Sequence, residues 1–158
     1  MSREHRYTAV VAFHGHSCPG VAFGLRVAEA AASRLGRHAE GNELVAVAAV
    51  ADCSADAIQL ITGCTAGRKN LRIEDTRIKA FTFRRVDGAE MRISGRRGSV
   101  AFRTPELEAL ARAVRGRRAT PEDAARFAEI QAERVRRILA EPEEALLVIE
   151  FESASVAA

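Results

Sequence analysis

The apolar positions change period several times along the chain, and each change predicts an element. Between Glu4 and Phe13, Tyr7, Val10 and Val11 recur at helical spacing. Val10-Val11-Ala12-Phe13 also suits a short strand, and helix is the reading adopted. Val21, Leu25, Ala28, Ala32 and Leu35 then follow at steps of three and four, with Gly36 placed as a left-handed stop. This predicts an amphipathic helix whose small, Ala-rich face permits close approach to a neighbour. Glu43 to Ala51 is an uninterrupted apolar run, the pattern of a central strand covered on both faces. It leads into a short helix capped by Asp52 or Ser54 and ended by Gly63.

The second half alternates like strands over Arg77 to Phe83, Met91 to Ser94 and Ser99 to Phe102. Asp87-Gly88 and the turn from Gly95 to Gly98 join them into an antiparallel meander. Thr104-Pro105-Glu106 and Thr120-Pro121-Glu122-Asp123 each combine a cap residue, a first-turn proline and acids that complement the helix dipole. They open two helices. The second carries Phe127, Ile130, Val135, Ile138 and Leu139 on one stripe, stops near Pro142, and precedes an apolar strand from Ala145 to Phe151. The expected fold is α+β: one domain over 1–158, with helices packed on a mixed or antiparallel sheet. The motif-bearing half is 1–83, the meander, helices and final strand are 84–151, and the tail 152–158 is frayed.

Composition narrows the class. With 158 residues, 47% of them hydrophobic and 28% charged, the chain suits one globular domain. No window approaches the roughly 18 apolar residues of a membrane helix, and no secretory signal is visible at the N-terminus. The expectation is a soluble cytoplasmic protein with three reduced cysteines. A net charge of +3 raises nucleic acid, but the cations are interleaved with acids. The dense tracts Gly95-Arg96-Arg97-Gly98 and Arg115-Gly116-Arg117-Arg118 read as solvated turns, which argues against that partner.

Chemistry concentrates in His14-Gly15-His16-Ser17-Cys18-Pro19-Gly20. Of four His and three Cys in the chain, three fall within these five positions from His14 to Cys18. Pro19 suits a first helical position, so Cys18 reads as an N-cap in the positive field of the helix, as nucleophile or metal ligand. The plainer alternative is a turn that caps a helix with an inert thiol. A second loop, Thr62-Gly63-Cys64-Thr65-Ala66-Gly67-Arg68-Lys69-Asn70, lacks P-loop spacing and argues against ATP. Cys53 and Cys64 sit at opposite ends of one short helix, roughly 15 Å apart at the α-helical rise, and cannot easily share an ion. The favoured ligand set is His16, Cys18 and Cys64, with His14 and Cys53 in reserve, for a divalent transition metal such as zinc. An open coordination position would serve water or substrate, with Cys18 and Asp56 as the candidate catalytic groups. Asp56 reads equally well as a first-turn helix acid. Arg68 and Lys69 are candidates for an anionic ligand or for ordinary solvated cations, and His5 and His38 read as surface residues.

Three ordered motifs carry a family resemblance: His14-Gly15-His16-x-Cys18-Pro19-Gly20, Cys53-x-x-Asp56-Ala57-Ile58-Gln59 and Thr62-Gly63-Cys64-Thr65-x-Gly67. Together, and more weakly through Asn70-Leu71 and Lys79-Ala80-Phe81-Thr82-Phe83, they resemble the formylmethanofuran dehydrogenase FmdE family. The resemblance implies an α+β core domain, a homodimer, and a metal pocket using His16, Cys18 and Cys64. Many members carry a C-terminal zinc ribbon with paired cysteines, whereas this chain has no cysteine after Cys64. The familiar Gly-Lys-Gly-Asn-Leu stretch reads Gly67-Arg68-Lys69-Asn70-Leu71 here. The leading expectation is a metal-binding protein of one-carbon or molybdenum/tungsten redox metabolism, either catalytic or an accessory partner of a redox enzyme. The other class is a metal- or haem-dependent sensor without turnover.

Overall fold

A computed structural model describes residues 1–153. The helices are α1 (Arg3–His14), α2 (Pro19–Leu35), α3 (Ser54–Thr62), α4 (Pro105–Arg115), α5 (Pro121–Ala140) and the short α6 (Glu143–Leu146). The strands are β1 (Leu44–Ala48), β2 (Leu71–Ile73), β3 (Ala80–Arg85), β4 (Glu90–Gly95) and β5 (Leu147–Glu152). They form one sheet in the order β2-β1-β3-β4-β5. The β1–β2 pair is parallel and the other three pairs are antiparallel. This is the α+β fold expected, with a mixed sheet. No helix among the described residues is long and apolar enough to cross a membrane.

The helix starts follow their cap residues closely. Thr104 and Thr120 accept the backbone N–H of Leu107 and Asp123, and Asp123 completes a capping box by accepting from the Thr120 N–H. Cys18 caps α2, its sulfur accepting the Val21 N–H at 3.4 Å. At α3 the cap position falls to Cys53, which makes no side-chain cap bond, and neither expected residue occupies it; Asp52, one residue earlier, accepts the Ser54 N–H at 2.9 Å and the Ser54 hydroxyl.

Helix α2 is the spine of the molecule. Phe23 meets Phe81 with ring centroids 6.2 Å apart, and the core continues through Phe83, Met91, Ile93, Ile138 and Leu147. Its Ala-rich face does allow close approach: a Cβ on Gly24 would lie 2.6 Å from the Ser54 Cα, so α3 packs against bare backbone there. Arg26, buried in the same helix, donates through Nη1 to the Ile138 and Glu141 carbonyls at 2.6 and 2.8 Å. It thereby satisfies the open carbonyl end of α5 with a charge that suits the dipole. Burial and the nearby Arg3 hold its pKa below the usual arginine value, with Glu29 and other acids opposing.

Three sequence expectations are corrected. Strand β1 is interior to the sheet but covered on one face only. Leu44, Ala46 and Ala48 are buried while Val45 is 47% exposed. Ser99 to Phe102 forms turns, and β4 pairs instead with β5 over six registered positions from Glu90↔Glu152 to Gly95↔Leu147. His38 is half-buried and accepts the Leu44 N–H at 3.1 Å, a structural role. The expectation of a frayed tail falls, from residue 154 onward, outside the described residues.

Candidate metal centre

The centre lies where α1 ends and α2 begins. Gly15 closes α1 with φ +96°, a conformation that favours glycine, and its N–H bonds to the Val11 carbonyl. That stop turns the chain through Gly15 to Ser17 into the Cys18-Pro19 start of α2. The last residue of one helix and the cap of the next therefore face one corner. A ligand atom from each of His14, His16 and Cys18 lies within 4.8 Å of the others. The two imidazole rings are 4.5 Å apart, tilted by 40°.

His14 is the most informative member. Its Nδ1 lies 2.7 Å from Asp56 Oδ2 on α3, and its side chain is only 12% exposed. A carboxylate accepts, so this contact places the ring proton on Nδ1 and leaves Nε2 with its lone pair. Nε2 is buried with no hydrogen-bond partner. Buried polar atoms are rarely left unsatisfied, and an imidazole oriented by a carboxylate with its second nitrogen free is the usual arrangement of a metal-ligating histidine. The donor set fits a borderline divalent ion.

Asp56 is itself held: Gln59 Nε2 donates to its Oδ1 at 3.2 Å, and Gln59 Oε1 accepts the Ala66 N–H. Sequence reasoning passed over Gln59 as a site residue, although its position one turn after Asp56 on α3 was a signal. It also passed over Tyr7, whose hydroxyl lies 2.8 Å from the Ser17 Oγ beside the cluster. Burial raises the Tyr7 pKa, with the Ser17 hydrogen bond opposing. No pattern in the sequence pairs Tyr7 with Ser17.

The remaining expected residues divide. Cys53, immediately before α3, faces Cys18, and burial together with that neighbour pushes its thiol up to about 11. Gly20 keeps the space open, since a Cβ there would be 3.0 Å from Cys53 Cβ and 3.7 Å from Cys18 Sγ. Cys64 is not brought to the cluster. It is fully buried in the main core and its thiol donates to the Leu44 carbonyl at 3.4 Å. Burial raises its pKa, with Thr62 and Arg68 opposing. The favoured set of His16, Cys18 and Cys64 is thus not what the fold assembles; His14 takes the third place. Arg68 donates to the Gly63 carbonyl at 3.0 Å and so closes its own loop. Lys69 is exposed in a left-handed conformation. Neither bonds to the cluster among the described residues.

Comparison with known proteins agrees with this architecture. A curated protein of Archaeoglobus fulgidus, called a probable S-adenosyl-L-methionine-binding protein, is 32% identical over 140 residues, covering 84% of this chain. The chain spans 38% of that relative's length. A crystal structure of a tungsten formylmethanofuran dehydrogenase FmdE-like protein from Syntrophus aciditrophicus shares the fold. Its TM-score is 0.62 at 22% identity, over 99% of this chain and 74% of that one. The family described as "FmdE, Molybdenum formylmethanofuran dehydrogenase operon" matches residues 13–148, from the His/Cys corner into the last strand, and the chain belongs to it.

Proposed function

We propose that the chain binds one divalent transition metal ion, zinc in the first instance, through His14 Nε2, His16 and Cys18. Asp56 holds His14 in the ligating tautomer. The observation that carries this reading is the buried, unpartnered Nε2 of His14, on a ring that offers a ligand atom within 4.8 Å of those of His16 and Cys18. Three donors from this chain leave room for a substrate or water, and a bound ion would act there as a Lewis acid. Asp56 at its 2.7 Å contact holds or returns the His14 proton. In this reading the protein serves one-carbon or molybdenum/tungsten redox chemistry of the kind its family is named for, as a homodimer and partner of a redox enzyme.

A second reading rests on Cys53. Its thiol against Cys18 is placed to become a fourth donor, which would close the site and suit a sensor or a structural centre without turnover. The deciding experiment is elemental analysis and competitive zinc titration of wild type, His14→Ala, Cys18→Ser and Cys53→Ser. One ion per chain, lost in the first two variants and retained in the third, supports the open site. Loss in all three supports the closed one. No ion in any of them overturns metal binding.

A further inference from the structure

A groove of about 610 Å³, lined from the segment that enters β3, from β4 with the turn after it, and from β5, is left unused by the metal reading. Arg77, Lys79, Arg92, Arg96 and Arg97 line it, and no acidic side chain does. Lys79 is matched by Asp52 at 3.2 Å and also lies over the Phe23 ring. Arg96 donates to the Glu144 and Leu147 carbonyls, which orients its guanidinium without neutralising it. Arg77, Arg92 and Arg97 make no ion pair and no side-chain hydrogen bond among the described residues, and all three are exposed. Four guanidiniums therefore line one groove, and the nearest carboxylate in the sheet register, Glu150 opposite Arg92, forms no ion pair with any of them among the described residues.

The same groove also has apolar lining. Ile78, Phe102 and Val148 are exposed and line it together. Gly95 is what lets the aromatic ring lie there: a Cβ at that position would come within 3.0 Å of the Phe102 ring. A volume of this size is in the range of small-ligand sites. The surroundings argue for a compact anion over a long one, because Arg92 and Glu90 pair across the sheet with Glu150 and Glu152. An extended polyanion would run into those acids.

We propose that this groove binds a small molecule carrying two or more phosphate groups on an apolar or aromatic body. Arg77, Arg92, Arg96 and Arg97 hold the phosphates, and Phe102 packs against the body. Planar guanidiniums grip phosphate oxygens two at a time, which a lone carboxylate ligand would leave half used. The proposal is independent of the metal site and needs no ion.

The test is calorimetric titration of the whole chain with ADP and with inorganic pyrophosphate, at low and at high salt. Wild type is compared with Arg92→Ala/Arg97→Ala and with a charge-matched control on α4, Arg112→Ala/Arg115→Ala. Thermal melts check that each variant is folded. The expected result is one ADP per chain, bound more tightly than pyrophosphate and weakened by salt. The groove variant should bind ADP at least about tenfold more weakly, with the control within about twofold of wild type. Absence of binding by either probe, or equal weakening in groove variant and control, would overturn the proposal. So would a single-stranded oligonucleotide that binds the groove more tightly than ADP, which would make it a nucleic-acid surface.

Discussion

His14 Nδ1 and Asp56 Oδ2, on residues 42 apart in sequence, stand 2.7 Å from each other. This contact ties the otherwise local His14-x-His16-x-Cys18 corner to α3. Asp56→Asn preserves shape but replaces the carboxylate with an amide, and it should weaken zinc about 10- to 100-fold without changing the stoichiometry. Competition against a chromophoric chelator measures this; wild-type affinity in Asp56→Asn would reduce the residue to a helix acid.

Cys53 should be a slow thiol in the metal-free protein. Burial and Cys18 hold its pKa at about 11, so it stays protonated through neutral pH and ionises only in strong base. Thiolate is the reacting species, and alkylation of Cys53 by iodoacetamide should therefore keep accelerating between about pH 8 and pH 11. Peptide mapping of the alkylated protein reads the rate; a plateau below about pH 9 would show that its neighbours do not hold the proton.

Cys64 should behave as a core residue and no ligand. Cys64→Ala is expected to leave metal content unchanged and to cost about 1 kcal/mol of stability through lost packing and the lost contact to Leu44. The pH dependence has a definite sign. The folded pKa lies above the ordinary 9.0, so the neutral thiol's contribution is complete below that value and declines as pH rises past it. Urea unfolding at about pH 8 and pH 10 should show a larger loss for wild type than for Cys64→Ala, and equal losses would contradict this.

Gly24 is the tighter of the two glycine positions on α2. A methyl group there would meet the Ser54 backbone at 2.6 Å, so backbone and not a flexible side-chain end would have to shift. Gly24→Ala should destabilise by about 1–3 kcal/mol and, by displacing α3, weaken zinc binding as well. Thermal denaturation and the same chelator competition check both effects; an unchanged melting temperature would show that the two helices separate freely.

Legibility in the sequence followed the range of the interactions. Helices α4 and α5 were readable because Thr104, Pro105, Thr120 and Pro121 act on their own first turns. The His/Cys corner was readable for the same reason. The local β3–β4 hairpin was readable through Asp87-Gly88, but distant pairing was not: Ser99 to Phe102 alternates like a strand, while the free edge of β4 is taken by β5, which arrives only after three further helices. Cys64 was misplaced because Gly63, at φ +78°, reverses the chain after α3 and sends the thiol inward toward Leu44. His14 looked secondary because its orienting partner, Asp56, is distant in sequence.

The corner that turns on Gly15 gathers its three donors from five consecutive residues. Joining the ends of so short a loop costs little chain entropy, so an ion captured there draws no remote strands together. In the proposed metal reading, ion capture and global folding are therefore separable events. The apo chain should keep its sheet and core intact, while the gain on loading is confined to how firmly α1 is pinned against the α2–α3 pair. Such a cassette can gain, lose or exchange its ion over evolutionary time while the scaffold beneath it stays the same.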